Sequence, residues 1–268
     1  MSRARNLVNR SFAPAKWFSL FGIIFLPVLV ASGDITRNLV AHYALDDGTG
    51  ITAKDSSDGK HDGTLEGYYS DSAGWTTGKI DGALSFDGTD DYVSVPHHND
   101  FDLKTYTLAA WVSVSSGSEI RPILVKGKFD DGVNATDVPF ALYLSDAKKL
   151  TLAYEKSASS QRYAENMSYE ATGEGLTEGE IYHVAVTRNN SGGLIAFYVD
   201  GQSRGSFEST PKPGDNNKKL YLGLDPKTNK LFKGGLDDVR IYARALEASE
   251  IQDLYALGAN SSQNDSDS

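Results

Sequence analysis

The 268-residue chain contains no cysteine. That absence excludes disulfides, a thiolate metal site and a lipidated N-terminal cysteine. A hydrophobic core must therefore hold the fold, and a chain of this length can bury one without staples. No apolar run reaches the roughly 20 residues that cross a bilayer as a helix. The run from Trp17 to Val30 stops at 14 residues and is interrupted by Ser19, Gly22 and Pro27. Positive charge is scarce, with 26 Lys and Arg against 36 Asp and Glu and a formal net charge of −10. An acidic surface repels phosphate backbones, so a nucleic-acid partner is not expected. No internal repeat is evident, so no repeat architecture is expected.

Residues 1–33 read as an export signal. Arg3, Arg5, Arg10 and Lys16 form a cationic start without an acidic residue, the apolar run follows, and Ala31-Ser32-Gly33 supplies small residues for cleavage before Asp34. Cleavage removes four positive charges and takes the formal net charge from −10 to −14. No membrane span is expected afterwards. The expected location is secreted, periplasmic or cell-surface, and an acidic exported protein is suited to holding a divalent cation.

The rest of the chain is a series of short strand-like runs separated by Gly, Asp, Asn and Ser. Tyr106 to Val114 alternates, with Leu108, Ala110, Val112 and Val114 on one face and Trp111 on the other. Leu39 to Leu45, the two runs within Ala83 to Val95, Ile123 to Lys126, Phe140 to Leu144 and Leu150 to Glu155 are further strands. Ile181 to Arg188 and Leu194 to Val199 follow, and Asp200-Gly201 then marks a hairpin because Gly accepts positive φ. Leu220 to Leu224 and Leu236 to Tyr242 complete the set. Strict alternation in the last run puts Leu236, Asp238, Arg240 and Tyr242 on one face and Asp237, Val239 and Ile241 on the other. Ile251, Leu254 and Tyr255 then form one apolar helical stripe, and Gly258 sits where that helix would stop. About a dozen strands and one short C-terminal helix predict a single all-β, two-sheet antiparallel sandwich over residues 34–258, with 259–268 as a disordered polar tail.

The motifs occur in a recognisable order. His42-Tyr43-Ala44-Leu45-Asp46-Asp47 comes first, then Asp55-Ser56-Ser57 with Gly63, then Gly78-Lys79-Ile80-Asp81-Gly82-Ala83-Leu84-Ser85-Phe86-Asp87-Gly88 with Asp91-Tyr92-Val93. Leu108-Ala109-Ala110-Trp111-Val112, Ile123-Leu124-Val125-Lys126-Gly127, Tyr182-His183-Val184-Ala185-Val186-Thr187, Phe197-Tyr198-Val199-Asp200-Gly201 and Leu220-Tyr221-Leu222-Gly223 follow. Gly234-Gly235-Leu236-Asp237-Asp238-Val239-Arg240-Ile241-Tyr242 with Ile251 and Tyr255 closes the series. Over residues 38–257 the chain resembles the laminin-G-like jelly-roll domains of the concanavalin A-like lectin/glucanase superfamily. The resemblance implies a concanavalin-like jelly roll of two curved antiparallel sheets. It departs locally before the terminal helix, where Glu247 stands in place of the usual Ser or Thr cap, a loss of about 0.5–2 kcal/mol.

Catalytic patterns are missing. Glycanases of this fold alternate two glutamates and an aspartate on one strand, and no Glu-x-Asp-x-Glu run is present. Glu174, Glu178 and Glu180 lie among glycines and read as a solvated loop. Tyr182-His183 belongs to the ordinary strand signature, and no Ser carries a nucleophile-elbow sequence.

A calcium site is the better expectation, since hard cations take carboxylate and carbonyl oxygens. The resemblance implies that the first and last strands lie side by side and that an aspartate at position 237 is a ligand. Asp46 or Asp47 would face Asp237, so the expected metal residues are Asp46, Asp47 and Asp237, holding a structural Ca²⁺. Asp46-Asp47-Gly48 reads equally as a simple turn. Asp55 and Asp62 fall in the same region, and Asp55-Ser56-Ser57 reads equally as an Asx-type turn. Trp111 is read as core and Trp75 as packing. Tyr154, Tyr163 and Tyr169, with Lys156 and Arg162, surround the long segment 154–175. The segment 115–139 is similarly long and polar, and long loops on a rigid sandwich are where binding groups sit. The resulting expectation is a secreted or surface-exposed non-catalytic recognition module, binding a glycan or glycoprotein. The alternatives are an envelope structural or interaction protein without sugar affinity, and a glycan hydrolase or lyase.

Overall fold

Alternating apolar runs form strands because successive side chains leave the backbone on opposite faces. The computed structural model describes residues 34–70, 74–117, 119–128, 138–156 and 166–261. The expected signal over 1–33, Arg162, Tyr163 and residues 262–268 lie outside the described residues. In chain order the described strands are β1 (Leu39–Tyr43), β2 (Thr52–Ala53), β3 (Gly63–Glu66), β4 (Trp75–Thr77), β5 (Gly82–Asp87), β6 (Tyr92–Val95), β7 (Tyr106–Val114), β8 (Arg121–Lys126) and β9 (Ala141–Leu144). They continue as β10 (Leu150–Glu155), β11 (Asn166–Glu170), β12 (Ile181–Asn189), β13 (Leu194–Val199), β14 (Gln202–Glu208), β15 (Leu220–Leu222), β16 (Leu224–Asp225), β17 (Lys230–Leu231) and β18 (Lys233–Tyr242). A 3₁₀ turn spans Asn99–Phe101, and helix α1 spans Ala248–Ser261.

The strands make two antiparallel sheets, as the sequence predicts. The first runs β14-β13-β12-β7-β18-β5-β4, with β1 also paired to β18. The second runs β11-β10-β9-β8-β15-β6-β3-β2, and β16 and β17 form a small hairpin. The core lies between the sheets. Leu108, Ala110, Val112, Val184, Val186, Phe197 and Ile241 enter it from the first, and Val93, Val95, Leu142, Leu152, Leu220 and Leu222 from the second. Each fully buried Leu, Val or Phe contributes about 1.5–3 kcal/mol. The strands left unread in the sequence, such as β4, β11 and β14, sit at sheet edges, where side chains stay partly exposed and the apolar alternation is weak.

Three local features differ from expectation. Strand β18 does not alternate strictly. Asp238 adopts φ 49° and the register against β7 slips between Asp237 and Arg240, which marks a β-bulge. The extra residue swaps faces, so Leu236 joins Val239 and Ile241 in the core while Tyr242 turns outward against α1. Gly258 does not end the helix, which continues to Ser261, so residues 259–261 are helical. Gly258 serves a close approach instead, because a Cβ there would lie 2.4 Å from Cζ2 of Trp111. Lastly, the missing Ser or Thr cap is replaced by Glu250, whose Oε2 accepts a 2.9 Å bond from the Glu247 amide. This is one half of a capping box, and Arg244 holds Glu250 through both oxygens at 2.6 and 2.7 Å.

Candidate functional site

β18 has β7 on one side along most of its length. On the other side it pairs first with β5, through Lys233 to Leu236, and then with β1, through Val239 to Tyr242. First and last strands are therefore neighbours, and Asp237-Asp238 lies where the partner changes. Asp237 is 4% exposed. Its Oδ2 accepts from the amides of Lys79 at 2.7 Å and Ile80 at 2.9 Å. Its Oδ1 is buried and has no hydrogen-bond partner among the described residues. Burial, with the Asp238 and Asp46 carboxylates adding to it, raises the Asp237 carboxyl to about 7 even against the two amide bonds. Asp46 sits at the other end of the same turn, where Oδ1 accepts from the Gly82 amide at 2.6 Å. The turn 78–82 is thus held between two carboxylates, and a buried, orphaned oxygen beside like charges suits a hard cation.

Asp47 is placed apart from this pair. Lys54 occupies both of its oxygens, through Nζ at 3.1 Å and the backbone amide at 3.0 Å. Among the described residues, no cluster of three metal-ligating side chains includes Asp46, Asp47 or Asp237. Asp55 is fully committed elsewhere: its carboxylate accepts from the amides of His42, Ser57 and His61 and from the Ser57 hydroxyl, at 2.8 to 2.9 Å. It builds the Asx turn that its sequence allowed.

Trp111 and Trp75 are packed, as expected, while Tyr154 and Tyr169 of the long segment are not available. Trp111 is buried, but beneath α1 on the outer face of the first sheet, beside His183 and Tyr255. Trp75 packs at the edge, donating from Nε1 to the Gly50 carbonyl at 3.0 Å. Tyr154 is fully buried under the guanidinium of Arg188, and Tyr169 stacks on it and bonds Ser209, so neither offers a ring to a ligand. The available tyrosines are others. Val93, Leu142 and Leu220 point into the core, so by alternation Tyr92, Tyr143 and Tyr221 leave the opposite face of the second sheet, all half-buried. Tyr92 and Tyr221 lie 6.2 Å apart between ring centres. Glu66 on β3, Ser94 on β6 and Lys219 just before β15 form a hydrogen-bonded chain through Ser94 Oγ at 3.1 and 3.3 Å. Tyr143 lines a hollow of about 280 Å³ with Ile120, Met167, Asp225, Lys227 and Lys230. Ile120 and Met167 belong to the two long segments singled out in the sequence. The tyrosines themselves could not be found there, because each reads as an ordinary strand residue.

His183 and Glu178 are engaged in structural contacts. Burial lowers the His183 imidazole to about 4, which keeps it neutral beneath the helix. Glu178 pairs with Lys148 at 3.0 Å, and Glu174 and Glu180 are exposed. A Ser-His-Asp series does occur: Ser56 Oγ lies 2.7 Å from His42 Nδ1, and His42 Nε2 lies 2.6 Å from Asp238 Oδ1. Asp238 is simultaneously held by Arg240 through Nε and Nη2, both at 2.9 Å. The Ser56 amide donates to the His42 carbonyl, so it offers no oxyanion donor beside the hydroxyl. The series braces β1, β18 and the 55–58 turn against one another.

Two antiparallel sheets around one core, with the closing strand central and a helix on the outer face, define a concanavalin-type jelly roll. The chain belongs to the laminin-G-type family of the concanavalin A-like lectin/glucanases superfamily, whose family model matches residues 87–252. Among solved structures it is similar to domain 4 of AbnA, a GH43 extracellular arabinanase from Geobacillus stearothermophilus, in complex with arabinotriose. That similarity has 22% identity and a TM-score of 0.62, covering 81% of this chain and 98% of that one. The binding domain of Paraclostridial Mosquitocidal Protein 1 shares 16% identity at a TM-score of 0.63, over 82% of this chain and 52% of that one. Trypanosoma rangeli sialidase in complex with the inhibitor DANA shares 18% identity at a TM-score of 0.53, over 81% and 32%. The chain thus spans about half of the toxin domain and a third of the sialidase, and these likenesses establish the fold. A comparison with curated protein sequences finds no match.

Proposed function

We propose that the protein is an exported, non-catalytic recognition module that binds a glycan on the outer face of its second sheet and carries a structural Ca²⁺. The observation that carries this reading is the set of half-buried tyrosines on this face, Tyr92 paired with Tyr221 beside Glu66, Ser94 and Lys219, and Tyr143 in a separate hollow with Asp225 and Lys230. Aromatic faces stack on the apolar faces of sugar rings while neighbouring polar groups fix the hydroxyls. The arabinotriose complex of the arabinanase domain supports an oligosaccharide as the ligand class. Non-catalysis is supported by the commitment of His183, Glu178 and the Ser56–His42–Asp238 series to structural contacts.

The Ca²⁺ would be held by Asp237, through its orphaned Oδ1, and by Asp46, with backbone carbonyls of the turn between them. It supplies charge compensation for crowded carboxylates and ties the 78–82 turn to the chain ends. Asp47, engaged by Lys54, is not needed.

The test is a glycan array, including arabino-oligosaccharides and sialylated glycans, probed with wild type and with Tyr143→Ala and Tyr221→Ala. Wild type should bind a defined glycan set, and at least one variant should lose it while melting normally. Absence of any wild-type binding, or unchanged binding by both variants, refutes the placement. Release of reducing ends by repurified protein would refute the non-catalytic reading.

A further inference from the structure

Away from both of these regions, three metal-ligating side chains converge at the end of the second sheet. His61 lies just before β3, while Asp100 lies in the 3₁₀ turn that follows β6 and His98 caps that turn, its Nδ1 accepting from the Asp100 amide at 3.3 Å. Nε2 of His61 is 3.0 Å from Oδ2 of Asp100, and Nδ1 of His98 is 3.1 Å from the same oxygen. The two imidazole rings are 4.4 Å apart between centres. We propose that His61, His98 and Asp100 bind a first-row transition-metal dication, with Zn²⁺ the best match.

The donor set selects the metal. Two imidazoles and one carboxylate suit zinc and its neighbours, whereas calcium prefers oxygen alone. Zinc bonds of about 2.0–2.1 Å place tetrahedral donors about 3.3 Å apart. The observed spacings need only a small opening to admit the ion. His98 and Asp100 can provide it, since their side chains are 53% and 51% exposed.

The third donor is already fixed. The His61 side chain is 10% exposed, its amide donates to Asp55 Oδ2 at 2.8 Å, and its carbonyl accepts from the Tyr43 hydroxyl at 2.7 Å. Gly59 keeps one side of the ring clear, because a Cβ there would lie 2.7 Å from Nε2. The turn bearing the other two donors is anchored by Phe101, which is fully buried and lies 5.0 Å from the His61 ring. A rigid donor facing two adjustable ones is a preorganised but accessible arrangement. Three protein ligands leave a fourth position for water. The ion would clip the 55–63 loop to the 98–101 turn.

Without a metal, the same contacts are hydrogen bonds or ion pairs, and the experiment separates the two cases. Tag-free mature protein is titrated with Zn²⁺ against a chromogenic chelator, and with Co²⁺ while the visible spectrum is recorded. Wild type should bind one equivalent at this site and give cobalt bands of low coordination number. His98→Ala and Asp100→Asn should each weaken Zn²⁺ binding by more than the about 10–100-fold typical of losing an outer-shell partner. Asp237→Asn should leave it unchanged. Melting curves confirm that the exposed-site variants fold. No Zn²⁺ binding by wild type, or equal binding by wild type, His98→Ala and Asp100→Asn, would overturn the assignment.

Discussion

Replacing Asp237 with asparagine separates two effects that coincide at the turn. In calcium-free protein the Asp237 carboxyl sits at about 7, against 3.8 for an ordinary aspartate, with burial as the main cause. A carboxyl raised on folding gives the folded state the extra proton. The stability it contributes is therefore complete below about pH 4 and lost as pH climbs through about 7. Between pH 5 and pH 8 that loss amounts to about 2.5 kcal/mol, or roughly 5–10 °C in melting temperature for a domain of this size. Asparagine cannot titrate, so Asp237→Asn should show a pH slope flatter by this amount. Calcium should favour the ionised carboxylate and add about 2.7 kcal/mol at 100 times Kd, in wild type alone. Calorimetry of both proteins at pH 5 and pH 8, in calcium-free and calcium-containing buffer, reads all four quantities. The reasoning fails if the difference between wild type and variant in calcium-free buffer is the same at both pH values. The cation clasp fails separately if calcium stabilises both proteins equally.

Gly258→Ala forces a methyl to within 2.4 Å of the Trp111 ring and should cost about 1–3 kcal/mol, as overpacking does. An unchanged melting temperature would show that the helix is not seated on Trp111. Glu250→Ala removes both the amide bond at Glu247 and the Arg244 pair, and should cost about 0.5–2 kcal/mol, read from urea unfolding midpoints. For the N-terminus, intact-mass measurement of exported protein should give a chain beginning near Asp34, and retention of Met1 to Gly33 would contradict an export signal.

The sequence reveals the long central strands well because both of their faces carry a consistent message. Tyr106 to Val114 and Leu150 to Glu155 match their observed bounds, since inward positions are apolar and bounded by turns. Edge strands carry a weaker pattern. The bulge at Asp238 was invisible for a different reason: aspartate accepts positive φ readily, but nothing local says that it does so here, and one inserted residue inverts every later face. Gly258 could not be assigned either, because a helix stop and a close approach both call for glycine. At the expected cation site the pairing of Asp46 with Asp237 follows from strand adjacency. Asp47 differs only by one position, and Lys54, which claims it, is contributed by a loop with no readable pattern. The tyrosine face required knowledge of which side of the second sheet is covered, which is a tertiary fact.

The central position of β18 has a bearing on the order of events during synthesis. β7 and β5 flank it, yet about 120 residues separate the end of β7 from the start of β18, roughly 6–25 s of translation. Until Lys233–Tyr242 emerges, the first sheet lacks its middle strand, and β1, β5 and β7 have no common partner. Pairing across such sequence distances is slow in any case. Closure of the first sheet across β5, β18 and β1 therefore has to wait for the last strand to be made.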